Sequence, residues 1–394
     1  MSERSERIVT APHDFDTITR DMLRARGGVK WTRFDGDVIG AFIAEMDFGT
    51  APQVRAALHA AVDAEAFGYL PEAMVEALAA ACAGWQSATY GWTVPAEWIR
   101  PLPDVLAGLT AAIEQFSPPG GKVVLPTPAY MPFLQLPGHI GREIIEVPMV
   151  DDGSGRPTFD LDGIAAAFRA GGALLVVCNP HNPLGLVHTR EELIAVSEVV
   201  AGHGGRVFAD EIHAPLVYAP AHHVPYASVS DLAAGHAVTA TSASKAWNLP
   251  GLKCAQLILS NGADAARWGD VGFFSEHLTS TLGVVANTAA YMSGRAWLDG
   301  VVGYLDGNRL LLADLLAEHL PEVGYRPPDG TYLAWLDVRR LGLGDAPGER
   351  FAEGAGVMVV DGARCGTPGF VRVNFATPRP ILAELVARMA TAVR

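Results

Sequence analysis

The sequence predicts an α/β protein: a mostly parallel central sheet flanked by helices, followed by a smaller α+β domain. Three observations carry that expectation. Short β-branched or Leu-rich runs alternate with helical stretches through the middle of the chain, the pattern changes after about Leu298, and 394 residues exceed what one core usually organises. With 49% hydrophobic and only 18% charged residues, there is apolar material for two cores. The expected division is an N-terminal segment over 1–45, a large domain over 46–298 and a small C-terminal domain over 299–394.

The strand candidates are KVVLPTPAY (Lys122 to Tyr130), ALLVVCNP (Ala173 to Pro180), GRVFADEIH (Gly205 to His213), AVTATSASK (Ala237 to Lys245) and AQLILSN (Ala255 to Asn261). Each opens as a buried strand should, and most close in turn or polar residues. Between them lie helical patterns such as TREELIAVSEVVAGHGG (Thr189 to Gly205), where Thr189 can cap, acidic residues fill the first turn and glycines end the helix. Past Leu298 a long helix over Val302 to Leu320 and the strand candidates TYLAWLDV (Thr331 to Val338) and GFVRVNFA (Gly369 to Ala376) make up the small domain. Residues 1–45 look irregular and are expected to pack on that domain or on a partner subunit.

A formal net charge of -14 opposes binding to nucleic acid or to an anionic membrane, which points to a small-molecule substrate. Cys82, Cys178, Cys254 and Cys365 form no C-x-x-C pair, so reduced cytoplasmic thiols are expected. The opening MSERSERIVTAPHDFD lacks the apolar core of an export signal, and no apolar run reaches the roughly 18 residues of a membrane span. His222 and His223 are adjacent, so their side chains point apart in a strand, and no metal is expected there.

In open parallel sheets, ligands sit beyond the C-terminal ends of the strands. That rule gathers Asn179 to Asn182, Asp210 to His213 and Ser242 to Lys245. A lysine in that position, partly buried, loses its proton readily enough to attack an aldehyde. Beside Lys245, the hydroxyls of Ser242 and Ser244 can donate to a phosphate, and Lys253 adds charge. Asp210 ends an apolar strand, where an unpaired carboxylate is costly, so it needs a cation. A protonated pyridine nitrogen suits it, the attraction at 4 Å being about 4 kcal/mol at an effective dielectric near 20. Asn182, in CNPHNPLG, can hydrogen-bond a ring oxygen. Alone, each residue also has an ordinary reading: a surface lysine, a structural carboxylate, a turn amide. Their order on three strand ends points to pyridoxal 5'-phosphate.

CNPHNPLG, FADEIHAPLVY, TSASKAWNLPGLK and GFVRVNFATPR resemble the successive signatures of fold-type-I pyridoxal-phosphate enzymes in the class-I/II aminotransferase superfamily. KWTRF (Lys30 to Phe34), AEMDFGT (Ala44 to Thr50), FGYLPEA (Phe67 to Ala73) and PDVLAGL (Pro103 to Leu109) resemble, more narrowly, the actinobacterial cysteine-S-conjugate β-lyases, or cystathionine β-lyases. The resemblance implies that the large domain binds the cofactor, with Lys245 as the Schiff-base lysine, Asp210 at the pyridine nitrogen and Asn182 at the ring oxygen. It implies that Tyr130 stacks on the ring, and that the backbone at Val105 and Leu106 cradles the phosphate with Ser242, Ser244 and Lys253. Arg372 matches the arginine that grips the substrate carboxylate. Tyr69 matches a residue that reaches the phosphate of the neighbouring subunit, which implies a homodimer. Two positions depart from the wider aminotransferase pattern: His213 stands where many transaminases carry a ring-oxygen-binding Tyr, and Lys253 where many carry an Arg.

The implied activity is α,β-elimination from L-cystathionine or another L-cysteine S-conjugate, giving a thiol, pyruvate and ammonia. Two alternatives share the motifs: an aminotransferase, and a regulatory partner-binding protein that keeps the fold.

Overall fold

The computed structural model describes residues 14–393. Seven strands form the central sheet: β1 (Ile99–Leu102), β2 (Lys122–Thr127), β3 (Ile144–Pro148), β4 (Gly172–Cys178), β5 (Arg206–Asp210), β6 (Ala237–Thr241) and β7 (Ala255–Leu259). Their spatial order is β1-β7-β6-β5-β4-β2-β3. From β6 to β3 all neighbours are parallel, and β7 runs antiparallel to both β6 and β1. The reversal follows from the connection, because a parallel return needs a crossover, usually helical. The stretch between β6 and β7 holds only a short 3-10 turn (Pro250–Leu252), so the chain doubles back just past the Lys245 turn at the C-terminal end of β6.

Leu174 to Val177, Val207 to Ala209 and Val238 are buried, which is why these strands read as unbroken apolar runs with helices over both faces. β1 and β3 are strands the apolar-run criterion passed over: IRPL is short and carries a proline, and IIEVP at the sheet's end buries only Val147.

The principal helices are α1 (Pro52–Asp63), α2 (Glu72–Tyr90), α3 (Val105–Phe116), α4 (Arg190–Gly202), α5 (Thr281–Ser293), α6 (Arg295–His319) and α7 (Arg379–Ala392). α4 opens on a capping box: Thr189 Oγ1 accepts from the Glu192 N–H at 3.2 Å, and Glu192 Oε2 accepts from the Thr189 N–H at 2.7 Å. α3 lies against β5, β6 and β7. Gly108 permits that approach, since a Cβ there would stand 3.1 Å from the Ala240 methyl and 3.3 Å from the Phe208 ring.

α6 begins at Arg295, ahead of the expected Val302, and therefore crosses the expected 298/299 boundary as one continuous rod. Beyond it, β8 (Gly324–Tyr325), β9 (Leu333–Asp337), β10 (Val360–Asp361) and β11 (Phe370–Asn374) form an antiparallel sheet in the order β8-β9-β11-β10. α6 and α7 pack together beside it.

Residues 1–13 of the expected N-terminal segment lie outside the described residues; its described part, 14–45, is more ordered than its composition suggests, with short helices at Arg20–Ala25 and Val29–Thr32. Ile39–Gly40 pairs in parallel with Val357–Met358, and residues 41 to 47 then run as a strap between the two sheets. The Asn374 amide nitrogen donates to the carbonyls of Ile43 and Glu45, both at 2.7 Å, while Asn248 bonds both backbone groups of Met46 at 2.9 Å. A buried ion pair anchors the strap's end: Asp47 receives Lys30 Nζ at 2.8 Å and Trp31 Nε1 at 2.7 Å. Removing one partner strands the other charge in the core, so Asp47→Ala is expected to lower unfolding free energy by about 3–5 kcal/mol in urea titrations.

Candidate active site

The strand register puts Cys178 beside Asp210 and Asp210 beside Ala240, so the C-terminal ends of β4, β5 and β6 lie side by side. Above them opens a cavity of about 260 Å³. Of the expected site residues, it brings together Val105, Leu106, Tyr130, Asn182, Asp210, His213, Ser242, Ser244, Lys245 and Lys253. Arg372 stands just behind, bonded to Asn182. Tyr69 does not reach this cavity: it is 86% exposed, its ring 5.3 Å from that of His277.

Lys245 Nζ donates to the Ala44 carbonyl at 2.9 Å. Burial, and then the charge of Arg372, lower the lysine's pKa to about 8, against the opposing pull of Glu45 and Asp210. Asp210 is displaced the other way. Its carboxylate accepts the Ile212 N–H at 3.0 Å, yet burial outweighs that bond and raises the pKa to about 7. Among the described residues no cationic nitrogen lies within ion-pair distance of Asp210. A protonated ring nitrogen would fill that vacancy and restore the carboxylate.

The other end of the cavity is built for an anion. Asp104 caps α3, its Oδ1 accepting from the Ala107 N–H at 2.8 Å, which leaves the Val105 and Leu106 N–H groups without intrahelical acceptors at the positive end of the helix dipole. Lys253 adds a cation from a left-handed backbone position, φ 47°, and pairs with Asp104 Oδ2. The two serines divide their work. Ser242 Oγ donates to the Cys254 carbonyl at 2.7 Å and accepts from the Ser244 N–H at 2.9 Å, so it holds the turn and its proton is committed. Ser244 lines the cavity, its hydroxyl without a hydrogen bond among the described residues.

Arg372 is 2% exposed and has no carboxylate partner among the described residues. Nη1 donates to Asn182 Oδ1 at 3.1 Å, Nη2 donates to the Phe42 carbonyl at 2.8 Å, and Nε has no hydrogen-bond partner among the described residues. The bond also fixes Asn182: with its oxygen committed to the guanidinium, its amide NH2 is the group left for a ring oxygen. His213 is buried with an Nδ1 that has no partner among the described residues, and burial followed by the charges of Lys245 and Arg372 brings its pKa down to about 3, so it is neutral. Tyr130 lines the cavity half-buried, its phenol pKa raised by burial.

Sequence reasoning missed three contributors. Asp104 was legible as a cap before an apolar helix. The Ala44 carbonyl and the Tyr332 hydroxyl, which meet at 2.9 Å, carry no sequence signal of their own. His223, half of the histidine pair, sits 3.2 Å from buried Glu211, which also accepts the Tyr226 N–H; no grouping of three metal donors occurs among the described residues. Among the same residues no helix is long and apolar enough to cross a membrane.

A sheet of this order, carrying lysine, carboxylate and amide on successive strand ends with an anion seat opposite, defines a fold-type-I pyridoxal-phosphate architecture. The chain belongs to the class I and II aminotransferase family, whose model matches residues 38–389. Within it, the chain is 40% identical over 374 residues to the cystathionine beta-lyase of Corynebacterium glutamicum, covering 94% of this chain and 97% of that one. Among solved structures, it is similar to a candidate pyridoxal-phosphate-dependent beta-cystathionase from Corynebacterium diphtheriae: TM-score 0.90, 41% identity, 95% of this chain and 98% of that one. It is also similar to the pyridoxal-phosphate-bound C-S lyase of Staphylococcus hominis: TM-score 0.87, 26% identity, 97% and 98% coverage.

The Asp210 geometry gives a pH signature. Its carboxyl keeps a proton up to about pH 7 when folded but only to near 3.8 when unfolded, so it adds stability below that lower value and loses it as pH rises through 7. Cofactor-free protein is expected to lose on the order of a few kcal/mol of this contribution between about pH 4 and 7. Asp210→Asn should flatten the slope in urea unfolding at a series of pH values.

Proposed function

We propose that this chain is a pyridoxal-phosphate-dependent carbon–sulfur β-lyase that cleaves L-cystathionine or a related L-cysteine S-conjugate to a thiol, pyruvate and ammonia, consuming one water. The observation that carries the chemistry is a lysine with its pKa lowered to about 8 in one cavity with a buried carboxylate that lacks a cation. Similarity along nearly the whole chain to a cystathionine beta-lyase supports elimination over amino transfer.

When bound, pyridoxal phosphate supplies a carbonyl that amines attack and a ring that takes up the electron pair left at Cα. Asp210, Asn182, His213 and Tyr130 would hold the ring, while the Val105 and Leu106 amides, Ser244 and Lys253 would hold the phosphate, with Ser242 bracing the turn behind them. Arg372, a buried guanidinium with no opposing charge among the described residues, binds the substrate carboxylate. Lys245, partly neutral at physiological pH, accepts the Cα proton at Nζ, and as an ammonium it can return that proton to the departing sulfur. His213 stays uncharged and adds no cation beside it.

On the same reading the cofactor-binding domain spans 46–298, α6 leads into the small domain of 299–394, and the N-terminal segment of 1–45, of which 1–13 lie outside the described residues, packs on that domain or on a partner subunit. The working unit is a homodimer. Phe67, Tyr69, Phe273, Phe274 and Leu278 are all exposed, and the rings of Tyr69, His277, Phe273 and Phe274 form a chain of neighbours 5.3–5.6 Å apart. Such an apolar face supports self-association, with Tyr69 lent to the partner's site. Four unpaired, buried cysteines support a cytoplasmic location.

Incubation with L-cystathionine is expected to release pyruvate and homocysteine in equal amounts. Keto-acid-dependent amino transfer with neither product would overturn the lyase reading. Lys245→Ala should lose about 10³-fold or more in kcat. Arg372→Ala should raise KM roughly 10- to 100-fold, as expected for a lost charge-assisted contact. By sedimentation the native chain is expected to be a dimer, and Phe273→Glu with Phe274→Glu a monomer.

A further inference from the structure

One backbone atom of the strap receives two side-chain donors from different parts of the fold. The Ala44 carbonyl oxygen accepts from Lys245 Nζ at 2.9 Å and from the Tyr332 hydroxyl at 2.9 Å. Lys245 lies on the turn after β6 of the central sheet, whereas Tyr332 immediately precedes β9 of the small sheet. Among the described residues, the Ala44 oxygen is the only hydrogen-bond partner of Nζ. A carbonyl oxygen offers two lone pairs, and here each has one donor.

The carbonyl is not free to turn. Its neighbours on both sides are held as well: Phe42 O by Arg372, and Ile43 O and Glu45 O by Asn374. Tyr332 is fully buried, and burial raises its phenol pKa far above the usual range, so it remains a donor at every working pH. If packing were its whole task, a phenylalanine would fill the same space without a hydroxyl to satisfy.

We propose that Tyr332 is a positioning residue for proton transfer: its hydroxyl fixes the Ala44 carbonyl, whose second lone pair holds Lys245 Nζ toward the substrate Cα hydrogen. The inference rests on the reading of Lys245 as the base. The charged and titratable groups facing that amine are Arg372 from the small sheet, Glu45 from the strap, and Asp210 and His213 from the end of β5. All of them remain when the Tyr332 hydroxyl is removed, so its effect can be isolated.

In cofactor-loaded enzyme, Tyr332→Phe is expected to lower kcat about 10- to 100-fold per bound cofactor, leave KM for L-cystathionine within about two-fold, and enlarge the kinetic isotope effect of Cα-deuterated substrate. A second readout avoids turnover. Competitive labelling of Lys245 against pH, in full-length cofactor-free chain, should show its midpoint raised by about 0.5 unit, because an acceptor relieved of one donor binds the ammonium more strongly. Replacing Tyr332 with 3-fluorotyrosine, which keeps the packing and strengthens the donor, should move that midpoint down, and this serves if Tyr332→Phe does not fold. An unchanged kcat and isotope effect in Tyr332→Phe, or a midpoint that neither replacement moves, overturns the proposal. Lys245→Ala separates the two levels: if it still turns over, the reading of Lys245 as base falls, whereas a dead Lys245→Ala beside a normal Tyr332→Phe removes the Tyr332 assignment alone.

Discussion

Asp210 and Arg372 are both buried, and neither meets an opposite charge among the described residues. Isolated ions inside a protein cost several kcal/mol each, and a carboxylate escapes that cost by keeping its proton, as Asp210 does up to about pH 7. An arginine has no such escape. Two incomplete charges of opposite sign, one beneath the cavity and one behind Asn182, favour a cation beside the carboxylate and an anion beside the guanidinium. The sheet makes this possible, because its interior strands are buried on both faces and the C-terminal ends of β4, β5 and β6 lie side by side beneath the cavity.

The strap of residues 41 to 47 then decides how the two sheets meet. Its backbone carbonyls receive Arg372, Asn374, Lys245 and Tyr332 in turn, and the buried pair of Lys30 with Asp47 secures its end. Groups from the large sheet and the small sheet thus share one piece of chain as a common reference. A backbone is well suited to that role, since its carbonyls cannot titrate and their spacing is fixed by covalent geometry.

The central strands, the helix with the capping box and the residues on the strand ends were legible because burial writes itself into composition. A strand covered on both faces is mainly apolar, so the carboxylate of Asp210, after the buried run Val207 to Ala209, marks where β5 stops, whereas β6 carries the buried Thr239 and Thr241 before Ser242. Edge strands such as β3, with one residue buried, leave no such trace. The antiparallel turn of β7 was not legible from its apolar run, since direction depends on the connection rather than on the strand.

The sequence by itself determined the fold class and set Asn182, Asp210 and Lys245 at or just past the ends of strands, because those depend on residue type and local order, while Arg372 was singled out by the resemblance to a family. Only the tertiary structure decided that Ser242 spends its proton on Cys254, that Lys253 pairs with Asp104, and that one carbonyl of Ala44 joins Lys245 to Tyr332. The last two join segments far apart in the chain, most of the contacts involve a backbone oxygen, and a main-chain atom common to every residue has no letter in the sequence.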